Sequence, residues 1–489
     1  MTTILEHDDT IVAPATAEGG AMCVVRISGR RAIEICDAMF RGRRPLGEAK
    51  THTLHYGEIV DRDGRTIDDV VAAVFRSPHS YTGDDTVEIS AHGSRYIVSE
   101  IIRLAITAGA RMARAGEFTS RAFLAGRLDL SQAEAVADII ASDSRWSHAV
   151  ASTQMRGGYS DMLRELRDKL LHLTSLLELE LDFSEEDVEF ADRKELRDIL
   201  CDVQRQTRNL AGSFALGNAL KEGVGVAIVG RPNAGKSTLL NRLAGDDRAM
   251  VSDIAGTTRD TIEATANIDG VVFRFIDTAG LRITDDRLEQ MGMARTRDAI
   301  AKARIVLHLI TPDDPAEEII STALSQTYIR LINKIDLCSD ADAPATNNEH
   351  TGDSPVSLAA NSNRNMCDTQ VAPTAETDRG AENAAQSTMR ISAKYDIGID
   401  DLRRLLRSTV ATEAVAGGSI VVSNLRHYEA LTRADESLAR ALDALDNGLP
   451  ADLLSEDIRQ VLHALGEITG EITTDDILAS IFSKFCIGK

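Results

Sequence analysis

The stretch "GRPNAGKST" limits the fold of this chain more than any other feature of its sequence. It follows the apolar run "VGVAIV" and leads into a helical segment. Between a strand and a helix, the spacing G-x-x-x-x-G-K-[ST] is typical of a loop whose backbone N–H groups turn toward phosphates. We expect Lys236 to reach the β- and γ-phosphates and the Ser237 hydroxyl to bind Mg²⁺. The pattern predicts an α/β nucleotide-binding domain with a parallel sheet covered by helices.

Two further segments follow in the order that phosphoryl-transfer enzymes of this class need. "GTTRD" offers Thr258 as a second ligand of Mg²⁺. "DTAG" closes the apolar run "VVFRFI", which places Asp277 near the metal and the Gly280 N–H near the γ-phosphate. The sequence therefore predicts a complete phosphate and Mg²⁺ site.

Two later segments predict which nucleobase the bound nucleotide carries. In "NKID", Asp336 can accept hydrogen bonds from the N1 and N2 donors of guanine, which adenine does not offer. "SAK" is expected to close over the base with backbone donors. The sequence thus predicts GTP rather than ATP. The residues predicted to contact it are Asn233, Ala234, Gly235, Lys236, Ser237, Thr238, Ser252, Asp253, Ile254, Ala255, Gly256, Thr257, Thr258, Asp277, Thr278, Ala279, Gly280, Asn333, Lys334, Asp336, Ser392, Ala393 and Lys394.

One position departs from Ras-type enzymes. Leu281 follows "DTAG", where those enzymes have the glutamine that orients the attacking water. Asp285, Asp286 and Glu289 lie in the same loop, and a carboxylate there could orient the water directly or through a second water. For each of them, a solvated loop charge is an equally good interpretation from the residues alone.

Oxygen donors near the phosphates could also hold a monovalent cation. Asn233, Ser252, the carbonyl of Ile254 and Thr257 could together form such a cage. The cation would supply the positive charge that an arginine finger brings in other enzymes.

The rest of the chain predicts a multidomain protein of the α+β and α/β classes. Its 489 residues suggest about three domains. We expect an α+β domain at 1–125, a helical domain at 126–222 and 409–489, and the nucleotide-binding domain inserted at 223–408. In the first helical part, leucines recur at three- and four-residue steps and predict a buried stripe, as do stretches around 427–446 and 451–482. Residues 338–388 have hardly any large apolar side chains and are predicted to be a disordered loop.

Bulk properties limit the partners. The formal net charge of −22 argues against broad electrostatic binding of nucleic acid, so RNA would need a local basic patch or a partner protein. No apolar run is long enough to span a bilayer, and the N-terminus carries acids where a secretory signal carries bases, so we expect a cytoplasmic protein with no membrane contact. The cysteines form no C-x-x-C pair, which argues against a disulfide framework or a zinc ribbon.

The chain ends in "FSKFCIGK", in which Cys486 is the fourth residue from the end. A prenylation signal has two aliphatic residues after the cysteine and a different final residue, so a lipid anchor is not expected. A buried, inert thiol is the simple alternative.

"RPNAGKSTLLN", "DIAGTTRD", "DTAGLR", "GEFTSRAFLAGRLDLSQAEAVADII" and "FCIGK" together resemble the MnmE (TrmE) family of tRNA modification GTPases. The resemblance runs from about residue 10 to the last lysine, except for 338–388. It implies an N-terminal domain that binds folate and dimerises, a discontinuous helical domain and an inserted Ras-like GTPase domain.

The resemblance also implies the reaction. With an FAD-dependent partner (MnmG, or GidA), family members use GTP hydrolysis and 5,10-methylene- or 5-formyl-tetrahydrofolate to modify C5 of the tRNA wobble uridine. The product is an aminomethyl or, with glycine, a carboxymethylaminomethyl group. A homodimer and a heterotetramer-type complex with the partner are implied, and K⁺ activates hydrolysis when two GTPase domains dock.

Site residues follow from the same resemblance. The K⁺ ligands fall on Asn233, Ser252, Ile254 and Thr257, and Glu289 matches the catalytic glutamate. Cys486 would stand close to the one-carbon chemistry. The folate-binding positions are Arg26, Glu88, Arg127 and Lys489.

The rival hypothesis is a regulatory GTPase switch of the ribosome-assembly type, which would explain "GRPNAGKST" and "NKID" equally well.

Overall fold

The structure is a computed structural model, and it describes residues 9–17, 19–182, 193–244, 263–277, 300–301, 303–313, 326–337, 387–410 and 419–488. The chain forms two compact units. One comprises Met1–Glu222 together with Ala411–Lys489, and the other comprises Gly223–Val410.

The first part of the chain forms a mixed sheet whose described strands run in the order β3-β4-β5-β6-β2-β1-β7. Alternate residues of β2 and β6 are buried, which is the pattern of strands with one face on a core. This confirms the predicted α+β class. The elements are β1 Ile11–Pro14, β2 Met22–Ser28, α1 Ala32–Asp37, β3 Phe40–Gly42, β4 Thr53–Val60, β5 Thr66–Phe75, β6 Thr86–His92, α2 Arg95–Thr107 and β7 Arg111–Met112.

Helices follow. Asp129 and Ser144 each begin a helix with a capping box, in which the cap side chain accepts from a backbone N–H three residues later. The predicted leucine stripe is confirmed, since Leu163, Leu170 and Leu177 are fully buried. These elements are α3 Glu117–Leu124, α4 Leu130–Ala141, α5 Arg145–Met155, α6 Gly158–Asp182, α7 Arg193–Gly212 and α8 Phe214–Glu222.

The unit Gly223–Val410 contains a sheet with the described order β13-β12-β11-β8-β10-β9. All neighbours are parallel except β9 and β10, so the predicted parallel sheet has one antiparallel pair at this edge. The reason is a two-residue hairpin at Asp269 and Gly270, both with positive φ. The elements are β8 Val224–Val229, α9 Lys236–Ala244, β9 Glu263–Ile268, β10 Val271–Asp277, β11 Ile305–Ile310, β12 Thr327–Ile332, β13 Ser387–Arg390 and α10 Ile399–Ser408.

The predicted loop 338–388 is too long at its end. Ser387 and Thr388 belong to β13, which pairs in parallel with β12 and was hidden because its residues are mostly polar. Residues 338–386 lie outside the described residues.

Three helices complete the chain: α11 Leu425–Asp446, α12 Ala451–Thr469 and α13 Asp475–Phe482. The predicted single stretch 451–482 is therefore wrong. Gly470 ends α12 in the left-handed region at φ +85°, and Thr474 caps α13. Leu431, Leu438 and Ile458 pack with the leucine stripe of α6 in one core, so the helices before and after the inserted unit share it. In the part of the chain that the structure describes, no helix is long and apolar enough to cross a membrane.

Candidate functional site

The loop between β8 and α9 packs so closely that two positions require glycine. Gly230 has φ +147°, and a Cβ there would overlap the carbonyl oxygen of Leu309. Gly235 has φ +103°, and a Cβ there would overlap Asn333 Nδ2. Asn233 between them also has a positive φ, of 64°. The sequence spacing thus yields the strand, tight loop and helix that a phosphate site needs.

Lys236 lies at the start of α9 and folds back over this loop. Its Nζ donates to the carbonyl oxygen of Gly230 at 2.5 Å and to that of Arg231 at 2.9 Å. Ser237 and Thr238 are exposed in the first turn of the helix, and Asn233 is exposed in the loop. A cation and hydroxyls therefore surround the helix N-terminus, which favours anions.

Asn333 connects the phosphate loop with the two segments predicted to bind the base. Its side chain is 2% exposed. Nδ2 donates to the Ala234 carbonyl oxygen at 2.8 Å, and Oδ1 accepts from the Ala393 N–H at 3.0 Å. The sequence predicted that Asn333 contacts the nucleotide. In the structure, the nitrogen and the oxygen of its side-chain amide are both hydrogen-bonded to backbone groups of the protein.

The base-binding segments are also joined directly. The Ser392 hydroxyl donates to Asp336 Oδ1 at 2.6 Å, which orients the carboxylate. Lys334 adopts φ +62° at the turn before it. The Lys394 ammonium lies 4.9 Å from the ring centre of Tyr395. Asp336 is therefore held in place by the segment predicted to close over the base.

Arg242 is a site residue that sequence reasoning missed. From the last turn of α9 it donates to the carbonyl oxygens of Ala393 at 3.3 Å and Lys394 at 3.2 Å. It fixes the base-binding segment to the helix that starts at the phosphate loop. The only sequence signal is a basic residue near a helix C-terminus, which is too common to single it out.

Several predicted residues of this site lie outside the described residues: Ser252, Asp253, Ile254, Ala255, Gly256, Thr257, Thr258, Thr278, Ala279, Gly280, Asp285, Asp286 and Glu289. Asp277 is described by its backbone, which ends β10 and pairs with Ile228 of β8. The strand end thus reaches the level of the phosphate loop.

A second cluster lies on the sheet of the other unit. Arg26 of β2 and Glu88 of β6 are direct cross-strand partners, and Arg26 Nε donates to Glu88 Oε1 at 2.8 Å. The Arg26 guanidinium lies 5.5 Å from the ring centre of Tyr81 and 5.4 Å from that of Phe118. Arg26 is 15% exposed and Glu88 28%, so the pair is accessible but largely shielded.

The C-terminal tail reaches this cluster. Ile487 forms an antiparallel bridge with Ala115, and the Gly488 carbonyl oxygen accepts from Arg26 Nη1 at 3.5 Å. Gly488 has φ +100°, and a Cβ there would overlap the carbonyl oxygen of Pro14. Cys486 is exposed and its thiol is free, so the simple alternative of a buried thiol is wrong.

Arg127, a further predicted folate residue, is less closely placed. Arg127 is exposed and follows Gly126 at the end of α3, with its Cγ 3.9 Å from the position of a Cβ on Gly83. It therefore borders the loop that carries Tyr81. Lys489 lies outside the described residues.

A buried ionic cluster that sequence reasoning missed supports this site. Arg121 is 2% exposed, and it donates to Asp9 Oδ1 at 2.6 Å and to Glu117 Oε1 at 3.1 Å. Arg111 also pairs with both acids. Burial alone would raise the pKa of Glu117, but the arginines outweigh it and lower that pKa to about 2. The cluster ties the start of β1 to α3, which carries Phe118.

Among the described residues, no group of histidine, cysteine or acidic side chains is arranged to hold a metal ion. The described cysteines Cys23, Cys36, Cys201 and Cys486 are free.

Two family models match the chain. The model of the MnmE helical domain matches residues 130–486, and that of the GTP-binding protein TrmE N-terminus matches residues 10–127. Together they span nearly the whole sequence.

Known proteins also match the chain along its whole length. A tRNA modification GTPase MnmE of Cytophaga hutchinsonii is 46% identical over 495 residues, which cover 100% of this chain and 99% of that protein. The protein of the same name from Christiangramia forsetii is 47% identical over 492 residues, covering 99% of this chain and 100% of the relative. Among solved structures, Era of Aquifex aeolicus covers 43% of this chain and 65% of its own at 24% identity, but a TM-score of 0.24 is too low to support an inference. The identity along the whole length establishes that the chain belongs to the MnmE (TrmE) family of tRNA modification GTPases.

Proposed function

We propose that this protein hydrolyses GTP and, with an FAD-dependent partner of the MnmG (GidA) type, modifies C5 of the wobble uridine of tRNA. The group added would be aminomethyl or carboxymethylaminomethyl, with its one-carbon unit taken from 5,10-methylene- or 5-formyl-tetrahydrofolate. One observation carries the proposal. In a chain of this family, the side-chain amide of Asn333 binds both the phosphate loop and a segment predicted to bind guanine, and so joins the two parts of the proposed GTP site.

The residues present fit GTP. Asp336 is oriented by Ser392 so that a carboxylate meets the base, and guanine offers it two donors. Lys236 would exchange its carbonyl partners for the β- and γ-phosphates. Ser237 and Thr258 would hold Mg²⁺, which neutralises charge that develops on the transferred phosphoryl group.

Hydrolysis in this proposal depends on a second cation and a carboxylate. Asn233, Ser252, the carbonyl of Ile254 and Thr257 would hold K⁺, completed when the GTPase units of a homodimer dock. The exposed position of Asn233 in the phosphate loop fits that role. Glu289 would orient the attacking water, because Leu281 cannot accept or donate a hydrogen bond.

The cluster around Arg26 fits a reduced folate. The cations Arg26, Arg127 and Lys489 suit its glutamyl carboxylates, Glu88 can accept from the pterin donors, and Tyr81 and Phe118 offer ring faces. Since the tail meets Arg26 through Gly488, Cys486 would lie at the edge of the one-carbon chemistry.

Asp336→Asn tests the reading of guanine. The amide of asparagine can donate to the 2-oxo group of xanthine but cannot accept from both N1 and N2 of guanine. We expect kcat/KM for GTP to fall by about a hundredfold or more and that for xanthosine triphosphate to rise. An unchanged preference for GTP would contradict the proposed base site.

The alternative proposal is a regulatory GTPase that performs no modification. It accounts for Lys236 and Asp336 but assigns no task to Arg26, Glu88 and the tail that meets them. The two proposals differ in the state of tRNA when the gene is lost, and that comparison separates them.

A further inference from the structure

Helix α4 (Leu130–Ala141) carries two acids one turn apart, the buried Glu134 and the half-buried Asp138, and they bind basic side chains from opposite sides of the inserted unit in the sequence. Asp138 accepts from Lys221 Nζ at 2.8 Å, and Lys221 lies two residues before Gly223, where the inserted unit begins. Glu134 accepts from Arg426 Nε at 3.0 Å and Nη2 at 2.9 Å, shortly after the chain returns. One helix therefore binds residues that precede and follow the insertion in the sequence.

The returning chain is fixed by further contacts. The Val422 N–H donates to the Ser213 hydroxyl at 3.0 Å, and a Cβ on Gly217 would overlap the Val422 carbonyl oxygen. Arg426 also donates to the carbonyl oxygens of Glu467 at 2.5 Å and Ile468 at 3.2 Å. The pair of Glu134 and Arg426 thus lies at the junction of α4, α11 and α12.

The N-terminal turn of α4 contacts the C-terminal tail. Leu130 and Ala133 form one apolar cluster with Phe482 and Phe485, which flank the turn before Cys486. Gly470 also packs on Leu130, since a Cβ there would lie 2.7 Å from Leu130 Cβ. The helix therefore contacts Lys221 before the insertion, Arg426 after it, and the segment that meets Arg26.

The returning segment is incompletely packed on one side. A small cavity of about 10 Å³, enough for about one water molecule, lies between Tyr159, His427 and the returning residues Ile420 and Val422. Tyr159 is 3% exposed, and within the described ranges its Oη has no hydrogen-bond partner.

We propose that α4 couples the nucleotide state of the inserted unit to the position of the C-terminal tail, with Glu134 and Asp138 as positioning residues. The inference rests on the proposed function, because it needs a GTPase cycle in the inserted unit. The chain enters and leaves that unit at residues 222–223 and 410–411. In this proposal a change in the inserted unit acts on α4 through Lys221 and Arg426, and α4 acts on the tail through Leu130 and Ala133.

The test uses the full-length chain and the exposed Cys486 as a reporter of tail position. Its alkylation rate by N-ethylmaleimide is measured by peptide mass spectrometry with GDP and with GDP–aluminium fluoride, both in Mg²⁺ and K⁺. In the native chain we expect the two rates to differ by about fivefold or more. Glu134→Gln and Asp138→Asn should bring their ratio to about one while GTP hydrolysis stays within about twofold of native.

Two control variants separate coupling from stability. Asp435→Asn removes the ion pair with Arg208, which also joins helices before and after the insertion but does not involve α4. Leu170→Ala destabilises the shared core, because it leaves a cavity at a fully buried position. Both should keep the native ratio, with the fluorescence of Trp146 reporting that each variant is folded.

The possible results distinguish a failure of the coupling role from a failure of the proposed function. A native ratio near one, a native ratio retained in both α4 variants, or its loss in Leu170→Ala would overturn the coupling role while leaving GTP hydrolysis intact. A native chain that does not hydrolyse GTP would overturn the proposed function and the inference together.

Discussion

Glu134→Gln is also expected to change how the protein responds to acid. Glu134 is buried, and burial alone would raise its pKa, but His427 and Arg426 outweigh that effect and lower the pKa from 4.5 to about 2. Glutamine has the shape of the neutral acid and cannot carry its charge. The variant therefore stands in for protonated Glu134 at every pH.

The magnitude follows from that pKa. One pH unit corresponds to about 1.4 kcal/mol, so ionised Glu134 stabilises the fold by about 3 kcal/mol at pH 7. Removing one partner of a buried pair typically costs about 3–5 kcal/mol. We expect the lower end, because Arg426 is 22% exposed and keeps its bonds to Glu467 and Ile468.

The pH dependence has a definite sign. Because the folded pKa is lowered, the stabilisation is fully present above about pH 4.5 and is lost as the pH falls toward 2. The difference in unfolding free energy between the native chain and Glu134→Gln should therefore shrink from about 3 kcal/mol at pH 7 to roughly half of that at pH 3.

Urea unfolding followed by Trp146 measures this difference, since the chain has one tryptophan and it lies in α5, in the same unit. Asp435→Asn is the matched control. Its pair with Arg208 is solvent-exposed, so its loss should cost less than about 1 kcal/mol. A Glu134→Gln difference below about 1 kcal/mol at pH 7, or one that does not shrink in acid, would refute the reasoning.

Three further predictions concern the nucleotide site. GTP turnover should be much faster in K⁺ than in Na⁺, and Asn233→Ala should abolish the difference; equal native rates in both salts would exclude the cation cage. Glu289→Ala should lower kcat with nearly unchanged GTP affinity, whereas a collapse of affinity would make the residue structural. Gly235→Ala forces a Cβ against Asn333, so titration with a fluorescent GTP analogue should show affinity weakened about tenfold or more, while Gly64→Ala, in open space, should bind normally.

The apolar strands and the helices could be predicted because their side chains must be buried. "VGVAIV" and "VVFRFI" are short apolar runs typical of buried strands, and the leucines of α6 recur at three- and four-residue steps typical of a buried helix face. The edge strands β9 and β13 could not, since "EATANI" and "STMR" are held by backbone pairing at a sheet edge and need few apolar residues.

In the candidate nucleotide site, too, features set by local sequence could be predicted and contacts between distant residues could not. The motif spacing predicted the tight loop between β8 and α9, because glycine at 230 and 235 is a local backbone requirement. The bonds of Asn333 to Ala234 and Ala393, and those of Arg242 to Ala393 and Lys394, join residues far apart in the chain. No local pattern encodes such contacts, and the same holds for Glu134 with Arg426.

Nucleoside analysis of tRNA from a strain lacking this gene tests the central claim most directly. We expect the C5-modified wobble uridines to disappear, to return when the native chain is supplied, and to stay absent with Lys236→Ala, which removes the phosphate-binding cation. A wobble-uridine profile that is the same with and without the gene would contradict a role in tRNA modification and favour the regulatory GTPase.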